Sequence, residues 1–532
     1  MKDIKVTTLE REGNGAQMAG GGLEGADRLS QTLMSWQPSV VSPAAMVSAD
    51  KDMADARTQD AVQNSGMAQG AVAIHRDSIV GAQFNLNAKP NSLVLGVTEE
   101  WAEMWQELVE SRFNLVADSP NCWFDAERKK TLTGLVRMAV GNFLLAGEAL
   151  ATAEWIRDRR RPFSTAVQMV SSYRLSNPDG ESDTDRRKSG IDIDEYGAPW
   201  RYWFRTSFPG DMTEIDGWKW KPVLARKAWG RRQVIHIMEQ LLPSQPRGIS
   251  EMVASLKDFH MTKKFSDVTL QNAVVNASYA AVIESELPTE MIFQAMGGGD
   301  QSPLAGYLAT YMDGLSAYMA ASKNIAVDGV KAPVLFPGTK YKAQPLGTPG
   351  GVGTDFEASM LRKIAASLGL SYEQFSRDYT QTNYSSARAS MAETWKFMQS
   401  RKKIVADAFA TEVYTLWLEE EIARGNIPMP PGYTPDDFYD PMVREALTCC
   451  TWIGASRGQI DEKKETEAAE LRLNNQLSTL EDECARLGVD WRQVIRQRAR
   501  EQKMMKQYGL EPVEKKPSTV SGKQEPDEEQ IE

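Results

Sequence analysis

The stretch that decides the fold is SLGLSYEQFSRDYTQTNYSSARASMAETW, residues 367–395. It places tyrosines, hydroxyl side chains and one Arg-Asp pair between two segments with the apolar spacing of helices. Ser371 with Gln374 is a capping signal for a short helical turn, and Ser385 or Ser386 is positioned to begin a second, long helix. The stretch contains no histidine, no cysteine and no phosphate-binding glycine loop. It therefore predicts a polar connection between helices and not a catalytic centre.

Helices are predicted on both sides of this connection. The preceding helix begins at the capping box of Thr354 and Glu357 and ends near Gly369. Its predicted buried positions are Phe356, Met360, Leu361, Ile364 and Leu368. The following helix covers residues 387–424, about 57 Å at about 1.5 Å per residue, and ends at Gly425.

Upstream, the sequence predicts a mixed α/β region. Helical patterns cover residues 58–81 and 124–147, and the second runs into a strand at residues 148–156. The stretch SGIDIDEYGAPWRYWF, residues 189–204, predicts a β-hairpin that turns at residues 194–197. An α+β fold class follows from this mixture of separate helices and hairpins.

A long helical segment begins after this region, capped by Ser250 and extending to Glu286. Its length would be about 54 Å. Small residues line its second half: Ala273, Ala277, Ala280 and Ala281. Small side chains permit close approach of helices, as when many copies of one helix surround an axis.

Composition indicates a globular protein that is neither disordered nor a membrane protein. Of 532 residues, 42% are hydrophobic and 25% charged. The apolar runs are too short to span a membrane, and the N-terminus lacks the apolar core of a signal peptide. Four cysteines without a CxxC pair predict buried free thiols in a protein made in a cytoplasm. Three widely spaced histidines predict no metal site.

Neither phosphate-binding nor calcium-binding motifs are complete. The glycines of residues 13–22 do not fit GxGxxG, and LGTPGGVGTD at 346–355 lacks the Lys-Ser/Thr of a P-loop. Asp192 and Asp194 are weakly similar to a calcium loop, but Trp203 stands where that loop requires glutamate. The net charge of −11 argues against a protein that grips nucleic acid, although DNA could still pass such a protein without being held.

The order of these segments, together with several local stretches, resembles the lambda family of tailed-bacteriophage portal proteins. Beside residues 360–395, the matching stretches include ERKKTLTGLVRMAV, VQMVSSYRLSNPDG, SQPRGIS, YAAVIESEL, WLEE and WIGASRG. The resemblance is dense between residues 50 and 492 and implies an elongated α+β portal fold. The implied organisation is a flexible arm (1–49), wing (50–249), first stem helix (250–287), clip (288–353), second stem helix (354–370), tunnel loop (371–385), long wing helix (386–425), helical crown (426–510) and disordered acidic tail (511–532).

The resemblance also implies a function. Portal proteins of this family form a dodecameric ring at one capsid vertex of the virion, assembled in the host cytoplasm. Double-stranded DNA passes through the ring during packaging, retention and ejection. The implied partners are the terminase large subunit, a head-completion or adaptor protein, and the major capsid and scaffold proteins. No enzymatic activity, cofactor, metal or membrane contact is implied.

The predicted tunnel loop contains the residues expected to meet DNA. Tyr372, Tyr379, Gln381 and Tyr384 offer neutral hydrogen bonds, while Arg377 offers one cation with Asp378 beside it. Contact without capture would suit a conduit, and a ring of acidic subunits would keep DNA centred unless basic residues cluster on its inner wall. The same residues could instead pack the loop against a neighbouring subunit, and the sequence leaves both readings open. The predicted packing residues of the stem are Ala273, Ala277, Ala280, Ala281, Phe356, Met360, Leu361 and Ile364.

Three other functions can be distinguished from a DNA conduit. An enzyme such as a packaging ATPase or nuclease lacks its motif here, and the acidic stretch DGESDTD, residues 179–185, has no partner base. A capsid or adaptor protein without a channel would appear as a shell or a monomer and not as a ring with a central hole. A protein that grips nucleic acid would bind free DNA with strong salt dependence.

Overall fold

The computed structural model describes most of the chain. The described residues are 32, 35–211, 219–278, 313, 325–327, 330–332, 352–458 and 461–510. Most of the predicted clip and the whole predicted tail lie outside them, as do Ala280 and Ala281. None of the described helices is long and apolar enough to cross a membrane.

Two helices open the described part, α1 (Pro43–Asn64) and α2 (Gly66–Ile79). The sequence predicted a single helix over 58–81, and that prediction was wrong because Ser65 adopts an extended conformation between the two. Helix α1 also begins inside the predicted arm, where Ser42 accepts a hydrogen bond from the Ala45 amide.

The remaining elements follow in chain order. They are β1 (Asn85–Ala88), α3 (Ser92–Leu95), α4 (Glu99–Ala117), α5 (Leu132–Ala146), β2 (Glu148–Trp155), β3 (Thr165–Val170), β4 (Arg187–Lys188), β5 (Ile191–Ile193), β6 (Pro199–Arg205), β7 (Trp220–Leu224), β8 (Val234–Met238), α6 (Leu256–Ser278), β9 (Ile325–Val327), β10 (Val330–Ala332), α7 (Val352–Ser367), α8 (Tyr372–Ser376), α9 (Tyr384–Arg401), a π-helical turn (Lys402–Asp407), α10 (Ala408–Ala423), α11 (Pro441–Thr448), β11 (Cys450–Ile453), α12 (Glu462–Asn474), α13 (Leu480–Arg486) and α14 (Trp491–Gln507).

Two antiparallel sheets organise the region before α6. Strand β2 is the centre of the order β3-β2-β8, and the second sheet has the order β4-β5-β6-β7. The predicted hairpin is confirmed as β5 and β6, with Tyr202 and Phe204 buried against Leu150 and Val234 in a small second core. The alternation of apolar positions in β6 places these rings on one face.

The main core surrounds α5. This helix begins at Leu132 and not at Phe124 as predicted, because Thr131 caps it and residues 122–129 form turns. Its buried apolar face packs near an aromatic group in which Phe113 contacts Trp417 with ring centroids 5.0 Å apart. Burial of such rings is the dominant stabilising contribution to a core of this kind.

The helices around the opening stretch begin earlier than their predicted caps. Helix α7 begins at Val352, so Thr354 lies in its first turn. Helix α9 is capped by Asn383, whose Oδ1 accepts from the Ser386 amide at 2.8 Å, and not by Ser385 or Ser386. The predicted end of the long helix at Gly425, which has a φ of +72°, is confirmed.

The predicted crown, expected to be mostly helical, also contains a strand. Strand β11 pairs with β1, with Trp452 opposite Leu86. Trp452 is buried and stacks on Phe84 at 5.4 Å between ring centroids. Among the four cysteine thiols, all free, Cys449 is exposed, so its predicted burial was wrong.

Candidate functional site

The two helices that flank the predicted clip lie side by side. The Phe265 and Phe356 rings of α6 and α7 are 5.4 Å apart, and Ser266 Oγ lies 3.3 Å from Glu357 Oε1. The pairing of the predicted stem helices is therefore confirmed. Leu361 and Ile364 are buried as predicted.

Two predicted buried positions of α7 are more accessible than expected. Phe356 is 50% exposed and Met360 is half-buried. Phe356 lies in the first half of α7 and Met360 at its middle, ahead of Leu361 and Ile364, which belong to the main core. The prediction of a buried Phe356 was therefore wrong for the single chain.

The end of α7 is fixed by α2 and α9. Gly369 has a φ of +64°, and a Cβ at this position would lie 2.6 Å from the Phe397 ring. The Leu368 carbonyl accepts a hydrogen bond from His75 Nε2 at 3.1 Å. Burial lowers the pKa of His75 to about 4, so the ring is neutral and carries its proton on Nε2. The polar connection therefore begins at residues, Leu368 and Gly369, that are held in place by His75 and Phe397.

Helix α8 anchors the beginning of that connection. Ser371 Oγ accepts from the Gln374 amide at 3.3 Å, which confirms the predicted cap. Phe375 is buried, and its ring meets Phe259 of α6 edge-on at 6.3 Å. Tyr372 is half-buried under the Arg362 guanidinium, 4.9 Å from the ring centroid. Tyr372 thus packs within its own chain.

The exposed part of the connection is residues 377–383, which we call the apex. Arg377 adopts a left-handed conformation with a φ of +58° and is exposed, and Tyr379 is 54% exposed. Asp378 Oδ1 accepts from the Thr380 amide at 3.0 Å and from Thr380 Oγ1 at 2.7 Å. These hydrogen bonds lower the pKa of Asp378.

Asp378 stands next to Arg377 in the chain but is hydrogen-bonded to Thr380 and not paired with Arg377. The Asp378 carboxylate is engaged by Thr380, and Arg377 forms no ion pair within the described ranges. Gln381 is exposed beside them, whereas the Tyr384 side chain lies outside the described residues. The apex therefore presents one cation without an ion pair, one carboxylate hydrogen-bonded to Thr380, and several neutral hydrogen-bonding groups.

A buried ionic network, which the sequence did not predict, lies where the chain enters α6. Ser250 Oγ donates to the Leu144 carbonyl at 2.6 Å and caps the turn before α6, as predicted for Ser250. Lys51 Nζ donates to the carbonyls of Ala146 at 2.8 Å and Gly248 at 2.9 Å. Lys51 therefore connects helix α1 to the segment just before α6, which we call the root of the predicted stem.

Glu148 is the centre of this network. Its carboxylate accepts from Arg247 Nη2 at 2.5 Å and from the Gly248 amide at 3.0 Å, and His236 Nε2 lies 3.1 Å away. Burial acts to raise the pKa of Glu148, but the charges of Arg247 and Lys51 outweigh it and hold that pKa well below its usual range. A glutamate opening the apolar strand EALATA was the one signal that could have revealed the network.

The long helix contacts the same root through Arg401, the last residue of α9. Arg401 pairs with Glu239, which follows β8, and with Glu251, at the start of the turn before α6. Its guanidinium also lies 4.9 Å from the centroid of Phe397, the ring that borders Gly369. The root of α6 and the end of α7 are therefore held by one segment of α9.

The acidic residues considered for calcium are occupied by protein groups. Asp192 accepts from Arg187 Nε at 2.8 Å, Arg201 Nε at 2.5 Å and Trp203 Nε1 at 2.9 Å. Across the residues that the structure covers, no group of three or more His, Cys, Asp and Glu side chains is arranged to hold a metal ion.

Comparison with known proteins assigns the chain to a family. The model of the phage portal protein, lambda family, matches residues 30–402, which include α6, α7 and the apex. The chain belongs to the lambda family of phage portal proteins. It is 35% identical to the portal protein of Escherichia phage N15 over 507 residues, covering 95% of this chain and 93% of the relative.

A second relative supports this family assignment. Portal protein B of Escherichia phage lambda is 35% identical over 481 residues, covering 90% of this chain and 89% of the relative. A chain from the virion of a native gene transfer agent particle matches with a TM-score of 0.38 and 12% identity, covering 85% of this chain and 99% of the other. The mixture of helices and strands has the α+β character predicted for a portal fold.

The structure separates the predicted site residues into groups. The exposed apex contains Arg377, Tyr379 and Gln381. Asp378 also lies in the apex and is hydrogen-bonded to Thr380. Tyr372 instead packs against Arg362 of its own chain. Ala273 and Ala277 lie on α6, but their side chains are outside the described residues.

Proposed function

We propose that copies of this chain assemble into a closed ring at one vertex of the capsid and conduct double-stranded DNA through its channel. Packaging, retention and ejection of the genome would use the same channel, and the chain would act structurally and not as an enzyme. The observation that carries the proposal is the paired helices α6 and α7, which lead directly into a rigidly anchored, exposed polar apex. Membership of the portal family supports it.

The chemistry of the apex suits a moving polymer. DNA affinity grows with the number of phosphates neutralised, because each contact releases condensed counterions. Arg377 would supply a single cation per subunit, while Tyr379, Thr380 and Gln381 can offer only neutral hydrogen bonds. Such an apex would touch the phosphate backbone without holding it in one register.

The ring would be closed by contacts between neighbouring stems. We propose that Ala273, Ala277, Ala280 and Ala281 allow close helix approach, and that Phe356, half exposed in one chain, is covered by the next subunit. Met360, Leu361 and Ile364 would hold α7 on its own α6. A dodecamer is the proposed assembly.

The proposed partners follow from the same organisation. The clip, residues 288–353, would meet the terminase large subunit during packaging and a head-completion or adaptor protein afterwards. Major capsid and scaffold proteins would surround the wing, residues 50–249. The ring would be assembled in the host cytoplasm and become part of the virion.

Electron microscopy of the purified full-length chain tests the proposal. Rings with a central hole wide enough for a DNA duplex, with the apex lining that hole, are the expected result. Monomers or closed shells without a hole would contradict it and favour an adaptor or shell protein. A ring in which the apex is buried between subunits would leave the channel but assign residues 377–383 to subunit packing.

A further inference from the structure

Helix α14 (Trp491–Gln507) is strongly basic in an acidic chain. It contains six Lys or Arg residues and one Glu, a net charge of 6 − 1 = +5, whereas the whole chain carries −11. None of its residues is buried. The helix also lies beyond residues 30–402, the part matched by the portal family model.

Among the residues that the structure describes, only those that contact the first turns of α14 attach it to the rest of the protein. Arg492 Nη2 donates to Gln106 Oε1 of α4 at 2.9 Å, and Arg496 Nη2 lies 2.5 Å from Glu107 Oε1. Every residue from Ile495 to Leu510 is exposed. Within the described part of the chain, four cations of α14 form no ion pair: Arg498, Arg500, Lys503 and Lys506.

Most of these charges fall on one side of the helix. At about 100° per residue, Arg492, Arg496, Arg500, Lys503 and Lys506 lie within an arc of roughly 120°. At about 1.5 Å per residue, the part of this stripe without ion pairs, Arg500 to Lys506, is about 9 Å long. Phosphates of one DNA strand recur about every 3.4 Å along the duplex axis, so the stripe can face several of them.

We propose that α14 is a second DNA-contacting element, in which this basic stripe lies along the phosphate backbone of double-stranded DNA. The choice of DNA over another polyanion rests on the proposed function. Arg492 and Arg496 of the stripe are bonded to α4, which leaves Arg500, Lys503 and Lys506 to meet phosphates. The planar guanidinium of Arg500 matches two phosphate oxygens at once. The contact is independent of base sequence because it reaches only phosphates.

The acidic character of the whole chain does not cancel this stripe. Charges farther away than the Debye length, about 10 Å at 0.1 M salt, are largely screened at an exposed surface. The local excess of cations on α14 therefore sets the potential that a passing phosphate meets. The result is salt-sensitive binding that remains weak enough for movement along the DNA.

The experiment measures binding of the full-length chain to a labelled duplex of about 30 base pairs between about 50 and about 200 mM salt. The test variant is R500Q/K503Q/K506Q, and the control K129Q/K403Q/K463Q makes the same change in net charge at exposed lysines outside α14. Glutamine retains a helix propensity close to that of Lys and Arg, and circular dichroism verifies the fold of both variants.

The expected result is a salt dependence reduced by about 0.9 in the slope of log K against log salt for each lost phosphate contact, or about 2.7 in the test variant. The control should keep the slope of the unaltered chain. An unchanged slope in the test variant, or the same reduction in the control, would overturn the proposal. So would a polyglutamate chain that binds as tightly as the duplex.

This measurement separates the inference from the proposed function. It needs no ring, because α14 is exposed in the single chain. If the test variant shows the reduced salt dependence but the protein forms no ring with a central hole, α14 remains a DNA contact and the proposed channel is wrong. If the protein forms rings with a central hole but the slope of the test variant is unchanged, the channel is supported and the DNA contact of α14 is wrong.

Discussion

Glu148 and Arg247 lie 99 residues apart in the chain and form a buried ion pair, with Oε1 and Nη2 2.5 Å apart. Glu148 opens the central strand β2, and Arg247 stands three residues before the cap of the turn that leads into α6. The pair therefore joins the sheet to the root of the predicted stem. Both side chains are almost fully buried, so Arg247 depends on Glu148 for its charge partner, while Glu148 also lies 3.6 Å from Lys51 Nζ.

Substituting Glu148→Gln should destabilise the protein strongly. The change leaves the charge of Arg247 buried without its carboxylate, whereas Lys51 keeps Asp55 at 3.0 Å. Breaking a buried pair typically costs about 3–5 kcal/mol. Urea unfolding measures the loss. Glu127→Gln, which removes one exposed end of a surface pair, is the control and should change stability by less than about 1 kcal/mol. Equal, small effects in both variants would show that the network contributes no stability.

Substituting Gly369→Ala should cost more than Gly425→Ala. Both glycines have positive φ, +64° and +72°, so both variants incur about 1–2 kcal/mol of backbone strain. Only at Gly369 would the new Cβ collide with a ring, that of Phe397, whereas nothing lies within 4 Å at Gly425. The difference in unfolding free energy should be about 1–3 kcal/mol. Equal losses would mean that Phe397 moves aside freely.

Substituting Arg377→Glu should impair DNA packaging or retention while rings still form. Arg377 is exposed and has no ion pair within the described ranges, so stability should change by no more than about 0.5 kcal/mol. Genome content per particle is the readout, and Arg457→Glu, an exposed arginine outside the apex, is the matched control. Normal genome content in the Arg377 variant would count against DNA contact by the apex.

The stability of the fold should fall in mild acid because of His75. Its pKa is about 4 in the folded chain and about 6.5 when unfolded, so below about pH 6.5 the unfolded state takes up a proton that the folded state refuses. This contribution is fully present above about pH 6.5 and is lost as the pH falls towards about 4.

Between about pH 7 and about pH 5, the loss due to His75 should be about 2 kcal/mol. His75→Gln can still donate to the Leu368 carbonyl but does not titrate, so its stability should fall by about 2 kcal/mol less over the same range. Chemical denaturation at both pH values measures the difference. Parallel losses in the two proteins would mean that His75 is accessible to protons in the folded state.

Local patterns predicted a large part of the architecture. The Ser250 and Ser371 caps, the hairpin of β5 and β6, and the end of the long helix at Gly425 are confirmed. Each depends on residues within one turn or one hairpin. The errors at helix starts, as with Asn383, arose where several polar residues competed to cap the same helix.

The basic helix α14 shows a different limit of prediction from the sequence. Its cations are visible in the sequence, but a total charge of −11 concealed them because it averages over the whole chain. The structure adds that four of them lack an ion pair within the described ranges and that residues 495–510 are exposed. A charge count for each predicted element would have found the helix but not its freedom from partners.

By itself, the sequence determined the family, the order of the segments and the pairing of two long helices around an intervening region. Only the tertiary structure decided which charges are buried, which rings remain exposed and which distant segments meet. Glu148 with Arg247, the half-exposed Phe356 and the pairing of β11 with β1 are examples. The reason is physical, since helix and hairpin signals act between near neighbours, whereas burial and ion pairing are fixed by residues tens to hundreds of positions away.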